Sequence, residues 1–327
     1  MPAAPRREAE GGAAAGPCGA AAEPGALAVR APAKINLYLG VHDQRDAAGY
    51  HRVDSVMAAL SLADEVHAVP ARELSVTMSA VDAALEPLPA LPQEKNSAHR
   101  AAVAMGRAFG RVPLVSLHIY KRVPLQAGLG GPSADAAAAI AALCALWGVD
   151  PADARTVAAA RSIGADVPFF LGSSPAYLAG RGDELVEAFP QAPAFPVALV
   201  KPRAGGVSTP AAYRLFDEAP AARGPLEPLR AALREGRAEE VPPLVANNLA
   251  PAARALEPQV AEVLAWLGAQ PGVLAADVCG SGACCFALCA DADDARRIAR
   301  DAREEHGGAW WSCATRMENC GARPIAG

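Results

Sequence analysis

Three short segments hold residue types that could do chemistry. The first is GLGGPSAD, Gly128 to Asp135, a glycine-rich turn leading into an alanine-rich stretch. The first turn of a helix leaves its backbone N–H groups unpaired and carries a partial positive charge, so glycines just before it let an anion approach the backbone. Neither G-x-x-x-x-G-K-[ST] nor G-x-G-x-x-G can be written over it, which removes the Walker and dinucleotide loops and leaves a phosphate cradle or a purely structural turn. The second is PAKINL, Pro32 to Leu37, where Lys34 and Asn36 share one face of a strand and Ile35 and Leu37 the other. A lysine on a strand is more often a solvated charge than a site. The third is GADVPFFLG, Gly164 to Gly172, in which Asp166 is embedded among apolar residues. A buried carboxylate is costly unless paired, and Lys34 is the cation the sequence offers it.

The elements that must position these residues follow from periodicity. From Ala26, ALAVRAPAKINLYLGVH alternates Ile35, Leu37 and Leu39 with Asn36 and Tyr38, and VDSVMAALSL, DEVHAV and LSVTM continue a β meander with Gly49 and Tyr50 in its turn. NSAHRAAVAMGRAFG predicts a helix with Ala98, Ala101, Ala102, Met105 and Phe109 at helical spacing and Asn96 or Ser97 as its cap. LVSLHIY reads as a strand, KRVPLQAGLGGPS as a loop and Ala134 to Trp147 as a helix. PADARTVAAARSIG is a further helix before ADVPFFLG. Beyond Gly172 a mixed β and α half begins and ends near Arg316, with Pro220 to Pro228 as a surface connection. The chain's 327 residues exceed the usual single core, so two compact lobes with a cleft between them are expected. They span 26–175 and 176–327, change over between Leu171 and Ala176, and follow a disordered low-complexity tail over 1–25.

Composition excludes several classes of function. Net charge is −5 and no basic stripe is interleaved with aromatics, which argues against a nucleic-acid partner. No apolar run reaches the roughly 20 residues that span a bilayer, since even Ala134 to Trp147 carries Asp135. The first residues mix Glu8, Glu10 and Glu23 with Arg6 and Arg7 and lack the apolar core of an export signal, so a cytoplasmic chain with eight reduced cysteines is expected. Cys279, Cys284, Cys285 and Cys289 crowd together. However, no C-x-x-C pair or nearby histidine is present, and adjacent Cys284 and Cys285 would point to opposite faces of a strand. They read as small buried hydrophobes rather than as a metal site. Nothing in the sequence sets an oligomeric state.

In this order, PAKINL, GLGGPSADAAAA, GADVPFFL and CGSGACCFAL resemble the GHMP kinases, named for galactokinase, homoserine kinase, mevalonate kinase and phosphomevalonate kinase. The match runs from about Ala31 to Phe286. It implies an α+β, two-lobed fold with an N-terminal ribosomal-protein-S5-domain-2-like lobe, a C-terminal ferredoxin-like lobe and the active site in the cleft. It also implies phosphoryl transfer from ATP to an alcohol. APAKINLYL followed by GYH, KRVP, IGADVPFF, VSTPAAY and NNL are similar to the branch acting on the 2-hydroxyl of 4-diphosphocytidyl-2-C-methyl-D-erythritol, on the non-mevalonate route to isoprenoids.

By the same resemblance, Asp166 falls where the family has its catalytic aspartate and Lys34 where a lysine pairs with it. ATP would lie on Asn96, Lys121, Pro124, Gly128, Leu129, Gly130, Gly131, Pro132 and Ser133, with Mg²⁺ arriving on the nucleotide and no protein metal site. Tyr50 and Tyr213 would sandwich the cytosine, with His51 and Asn36 supplying hydrogen bonds, and Ser281 would sit in a second glycine turn behind the site. Read without the family, Tyr50 is a turn aromatic and His51 a surface histidine. One departure concerns the loop: the usual pattern is G-G-G-S or A-G-G-S, whereas Pro132 here removes one backbone donor near the phosphates while suiting the first turn of a helix. Two alternatives stand beside this expectation: a homoserine or mevalonate type of kinase, and a non-catalytic binding protein of the same fold.

Overall fold

The structure, a computed structural model, describes residues 25–82, 85 and 87–325 of the chain. The tail expected over 1–25 therefore lies, apart from Gly25, outside the described residues. Strands β1 (Leu27–Arg45) and β2 (His51–Pro70) form a long antiparallel hairpin whose register shifts between Pro32 and Lys34 and between Asn36 and Tyr38. After β3 (Ser75–Ala80), helix α1 (Ser97–Phe109) starts where the side chain of Asn96 accepts from the N–H of Ala98. It ends at Gly110, whose φ of 63° is the left-handed turn that glycine adopts without strain. Strand β4 (Val115–Lys121) pairs with β2 and β3 and leads into the glycine loop.

Helix α2 (Gly131–Trp147) begins three residues before the expected Ala134, with Gly130 as its cap. Pro132 fits there because the first turn of a helix has no use for its missing N–H. The alanines make α2 buried almost all round, so it lies close against α1 and the β1–β2 sheet. Helices α3 (Ala154–Ile163) and α4 (Val167–Phe170) complete the layer over this sheet. Strands β5 (Ala176–Ala179) and β6 (Glu184–Ala188) follow, and β5 still pairs with β2.

The second half contains β7 (Pro196–Pro202), α5 (Thr209–Glu218), α6 (Leu226–Glu235), β8 (Ala246–Asn247), α7 (Ala250–Leu256) and α8 (Pro258–Gly268). It continues through β9 (Val273–Val278), β10 (Cys285–Cys289), α9 (Ala292–Glu305), β11 (Trp310–Glu318) and β12 (Arg323–Pro324). Its strands lie in the order β11-β7-β10-β9, all antiparallel, which is the ferredoxin-like arrangement. Order extends past the expected end near Arg316, because Met317 and Glu318 pair with Leu60 and Ala59 of β2, and β12 pairs with β1. These long-range pairings join both halves, among the described residues, in one twelve-stranded sheet, and no local periodicity announces them. The Pro220 to Pro228 segment is likewise more than a surface connection. Ala221 O accepts from Asn248 Nδ2, Gly224 O accepts from Tyr38 Oη at 2.8 Å, and α6 has already begun at Leu226.

A central apolar cluster fills the space between the halves, with Ala33, Ile35 and Leu37 of β1 meeting Leu199 and Phe286. The period of two then places Lys34 and Asn36 on the opposite face, toward the cleft. Strand β10 alternates as expected: Cys284 belongs to this cluster and Cys285 and Cys289 to the next, all free thiols, and burial pushes the Cys285 thiol up. Among the described residues no helix is long and apolar enough to cross a membrane.

Candidate active site

The cleft begins with β1. Lys34 is only 4% exposed, and its ammonium donates to Asn36 Oδ1 at 2.7 Å and lies 3.8 Å from Asp166 Oδ2. Asn36 is held in turn by donating to Ser55 Oγ at 2.9 Å. The structure therefore brings together the two residues that the sequence could only suggest as partners. Asp166 differs in one respect from its expected burial among apolar neighbours, because its side chain is 35% exposed. It occupies the cap position of the four-residue α4 without making a capping bond. Val167, Phe169 and Phe170 turn into the core and leave the carboxylate at the cleft. A carboxylate at that position can meet a ligand without leaving a buried site.

The glycine loop is fastened on two sides. Leu129 O accepts from the Lys34 N–H at 2.9 Å, tying the loop to β1, and Ala127 O accepts from the Cys284 N–H at 3.2 Å, tying it to the second half. Gly128, with φ 73°, lies so close to the second glycine turn that a Cβ there would land on the carbonyl oxygen of Cys279. Gly130, with φ 75°, would press a Cβ to 2.9 Å from Phe170 and 3.1 Å from Lys34 Cγ. These two positions need glycine both for their backbone conformation and for the close approach. Gly280 and Ser281 line the same 460 Å³ cleft, and the Ser281 hydroxyl meets Thr209 Oγ1 at 2.8 Å.

Beyond the start of α2 lies a second cavity of 300 Å³, lined by Asn96, Lys121, Pro132 and Ser133 together with apolar side chains such as Met78, Leu125 and Ile163. Asn96 is engaged in capping α1, and Ser97 Oγ donates to Pro132 O at 2.5 Å, so the two helix starts are sewn together. Pro124 lines the larger cleft instead. Lys121 is almost wholly buried between two carboxylates, Asp64 and Asp135, the latter at 2.7 Å. Asp64 also accepts from the N–H groups of Arg122 and Val123, whereas Asp135 Oδ1 has no partner among the described residues. Burial pushes the Asp135 carboxyl up to about 7, with Asp64 adding to the rise and Lys121 opposing it. Sequence reasoning had placed Asp135 inside the loop motif but gave it no role, and Asp64 carries no local signal. Only the folded pairing shows them as one unit.

On the opposite rim, Tyr213 of α5 lines the cleft and is buried enough to push its hydroxyl up to about 12, with the Asp166 charge adding to the effect. His51 is 7% exposed, so the surface histidine that the sequence alone suggests is a buried one. Its Nδ1 donates to His42 O at 2.7 Å, its ring centroid is 5.6 Å from that of Tyr213, and its Nε2 lies 3.0 Å from Asp217 Oδ1 without hydrogen-bond alignment. Tyr50 is 58% exposed at the tip of the β1–β2 hairpin. Its ring carries the guanidinium of Arg181 at 4.1 Å, and Arg181 itself lines the cleft, although no motif or spacing in the chain singles it out.

Known proteins share this fold. Residues 96–173 match the family described as GHMP kinases N terminal domain, and residues 229–308 match GHMP kinases C terminal. A relative from Rhodococcus jostii named 4-diphosphocytidyl-2-C-methyl-D-erythritol kinase is 38% identical over 284 residues, covering 85% of this chain and 88% of the relative. A crystal structure of 4-(cytidine 5'-diphospho)-2C-methyl-D-erythritol kinase superposes with a TM-score of 0.69 at 33% identity, covering 89% of this chain and 99% of the other. Homoserine kinase from Cytophaga hutchinsonii shares the fold at a TM-score of 0.65 and 19% identity, covering 94% of this chain and 100% of the other.

Proposed function

The chain belongs to the 4-diphosphocytidyl-2-C-methyl-D-erythritol kinases, a branch of the GHMP kinases. From that membership we propose that its 460 Å³ cleft is where the γ-phosphoryl group of ATP passes to the 2-hydroxyl of 4-diphosphocytidyl-2-C-methyl-D-erythritol. The observation that carries the reading is the Lys34–Asp166 pair, 3.8 Å apart on the cleft wall, with Gly130 pressed against Lys34 where α2 begins. Phosphoryl transfer has a loose transition state, so the protein's work is positioning and charge stabilisation more than covalent chemistry. Asp166 orients the acceptor hydroxyl and takes its proton late. Lys34, fixed in place by Asn36, stabilises the charge that develops on the transferred group.

The loop from Gly128 to Ser133 cradles the ATP phosphates, and the 300 Å³ cavity with Asn96 and Lys121 on its wall receives the adenine. Lys121 is spent on two carboxylates, so it shapes that wall rather than offering a free ammonium. A Mg²⁺ ion would come bound to the nucleotide, and an oxygen such as that of Asp166 would be the protein's contact with it. The metal would neutralise phosphate charge during transfer. Tyr213, with His51 beside it, forms one wall for the cytosine, and Tyr50 the other. A cytoplasmic setting belongs to the same proposal and is supported by the free thiols of all seven described cysteines.

A coupled ADP-release assay over 4-diphosphocytidyl-2-C-methyl-D-erythritol, homoserine and mevalonate tests the assignment. Turnover of the first compound alone is expected, and Tyr213→Ala should raise its KM about tenfold, as loss of a base-stacking ring of about 1 to 3 kcal/mol requires. Phosphorylation of homoserine or mevalonate in its place would keep the kinase and discard the substrate.

A further inference from the structure

Among the described residues only two cations stand on the wall of the main cleft, Lys34 and Arg181. Lys34 is turned toward Asn36 and Asp166. Arg181 sits in the tight turn between β5 and β6, where Gly180 and Gly182 both have positive φ and the Arg181 N–H donates to Asp183 Oδ1. Its backbone is held further by a bridge to Val53 of β2. Its side chain is 45% exposed, with the guanidinium over the Tyr50 ring and Nε donating to Asp46 Oδ2 at 2.6 Å. Asp46 Oδ1 meanwhile accepts from the N–H groups of Ala48 and Tyr50. One carboxylate thus fixes both the turn that carries Tyr50 and one edge of the Arg181 fork. Among the described residues no protein acceptor takes either Nη group, so the outer edge of the fork is held in place without being spent.

An arginine fork with one edge anchored and the other open matches the paired oxygens of a phosphate, and stacking on an aromatic ring keeps it from folding away. Resting on the substrate reading above, we propose that Arg181 binds the diphosphate of the acceptor substrate. In that role the Tyr50–Arg181 stack reads two neighbouring parts of one ligand: the ring faces the base and the guanidinium faces the charge beside it. This diphosphate must be met by a group apart from the glycine loop, which is committed to the phosphates of ATP. Among the described residues no other free cation lines the cleft.

The test compares Arg181→Gln and Arg181→Lys with the parent, measuring KM for both substrates and the competition of cytidine and cytidine diphosphate against the acceptor. In Arg181→Gln, KM for the acceptor and the inhibition constant of cytidine diphosphate should both rise about tenfold or more. Inhibition by cytidine should change less than twofold and KM for ATP should stay, while Arg181→Lys recovers part of the loss. An equal loss for cytidine and cytidine diphosphate would show that Arg181 merely props Tyr50 and would overturn the proposal, as would undiminished competition by cytidine diphosphate. If neither cytosine compound competes in the parent, the substrate reading itself fails and the role of Arg181 falls with it.

Discussion

At the scale of single residues, the proposed function rests on the Lys34–Asp166 pair, whose members are expected to act as a unit. Asp166→Asn keeps the shape of the side chain and removes its charge, so turnover should fall by about 10²-fold or more with little change in KM, as single-turnover and steady-state rates would show. Lys34→Ala should lower turnover comparably, since it also frees Asn36 from its 2.7 Å hydrogen bond. The double variant should be little worse than either single one, because residues that act as a unit are not additive. Strict additivity would mean that the 3.8 Å approach of the two groups has no part in the reaction. Both residues were legible in the sequence as types that could do chemistry. Their proximity was not, since 132 positions separate them along the chain.

At the scale of elements, the proposed function gives the start of helix α2 the task of holding the nucleotide. Pro132 occupies its first turn, and Pro132→Gly should add a backbone donor there while loosening the helix start. A charge-assisted hydrogen bond contributes about 1.5 to 3 kcal/mol, and the added glycine freedom costs about 0.4 to 1 kcal/mol of stability. ATP should therefore bind modestly tighter while Tm drops, and calorimetry with a melting curve reads both. Unchanged ATP affinity would show that the position never faces phosphate. One turn further on, Asp135 is held neutral in the folded chain up to about pH 7, chiefly by burial, against about 4 when unfolded. A folded-state value raised in this way contributes stability that is full below about pH 4 and lost as pH rises toward 7. Asn mimics the protonated acid, so the Tm of Asp135→Asn relative to the parent should improve between pH 5 and pH 8. A difference that does not vary with pH would mean that the carboxyl titrates normally. The sequence showed this helix and its proline plainly, because an alanine run and a glycine cap are local signals.

At the scale of the whole molecule, the two lobes are joined by one continuous sheet and by the contact of two glycine turns. Gly128 marks that contact: alanine there meets both a left-handed backbone and the carbonyl of Cys279. Gly148, at the end of α2, has a similar φ of 64° but open space around it. Gly148→Ala should cost only the conformational term of about 1 to 2 kcal/mol, with KM for ATP unchanged. Gly128→Ala should lower Tm further and raise KM for ATP several-fold, because the loop must move away from the second lobe. Equal effects of the two substitutions would mean that the turn contact contributes nothing to nucleotide binding.

The sequence by itself determined strands β1 and β4 and helices α1, α2 and α3, the glycine loop at the start of α2, the two-faced character of β1, and the residues now paired as Lys34 and Asp166. Each of these is written in a short stretch by alternation, helical spacing or a turn residue, and short stretches can be read without knowing the fold. By contrast, VDSVMAALSL and DEVHAV, which read as separate strands of a meander, form the single strand β2, and α4 does not read as a helix in the sequence. Only the tertiary structure decided that β11 and β12 return to β2 and β1, that Asp64 and Asp135 share Lys121, and that Arg181 reaches the cleft beside Tyr50. Those relations join residues tens to hundreds of positions apart. They are fixed when the apolar faces of β1, β7 and β10 close on one another, and that closure leaves no imprint on the spacing of neighbouring residues.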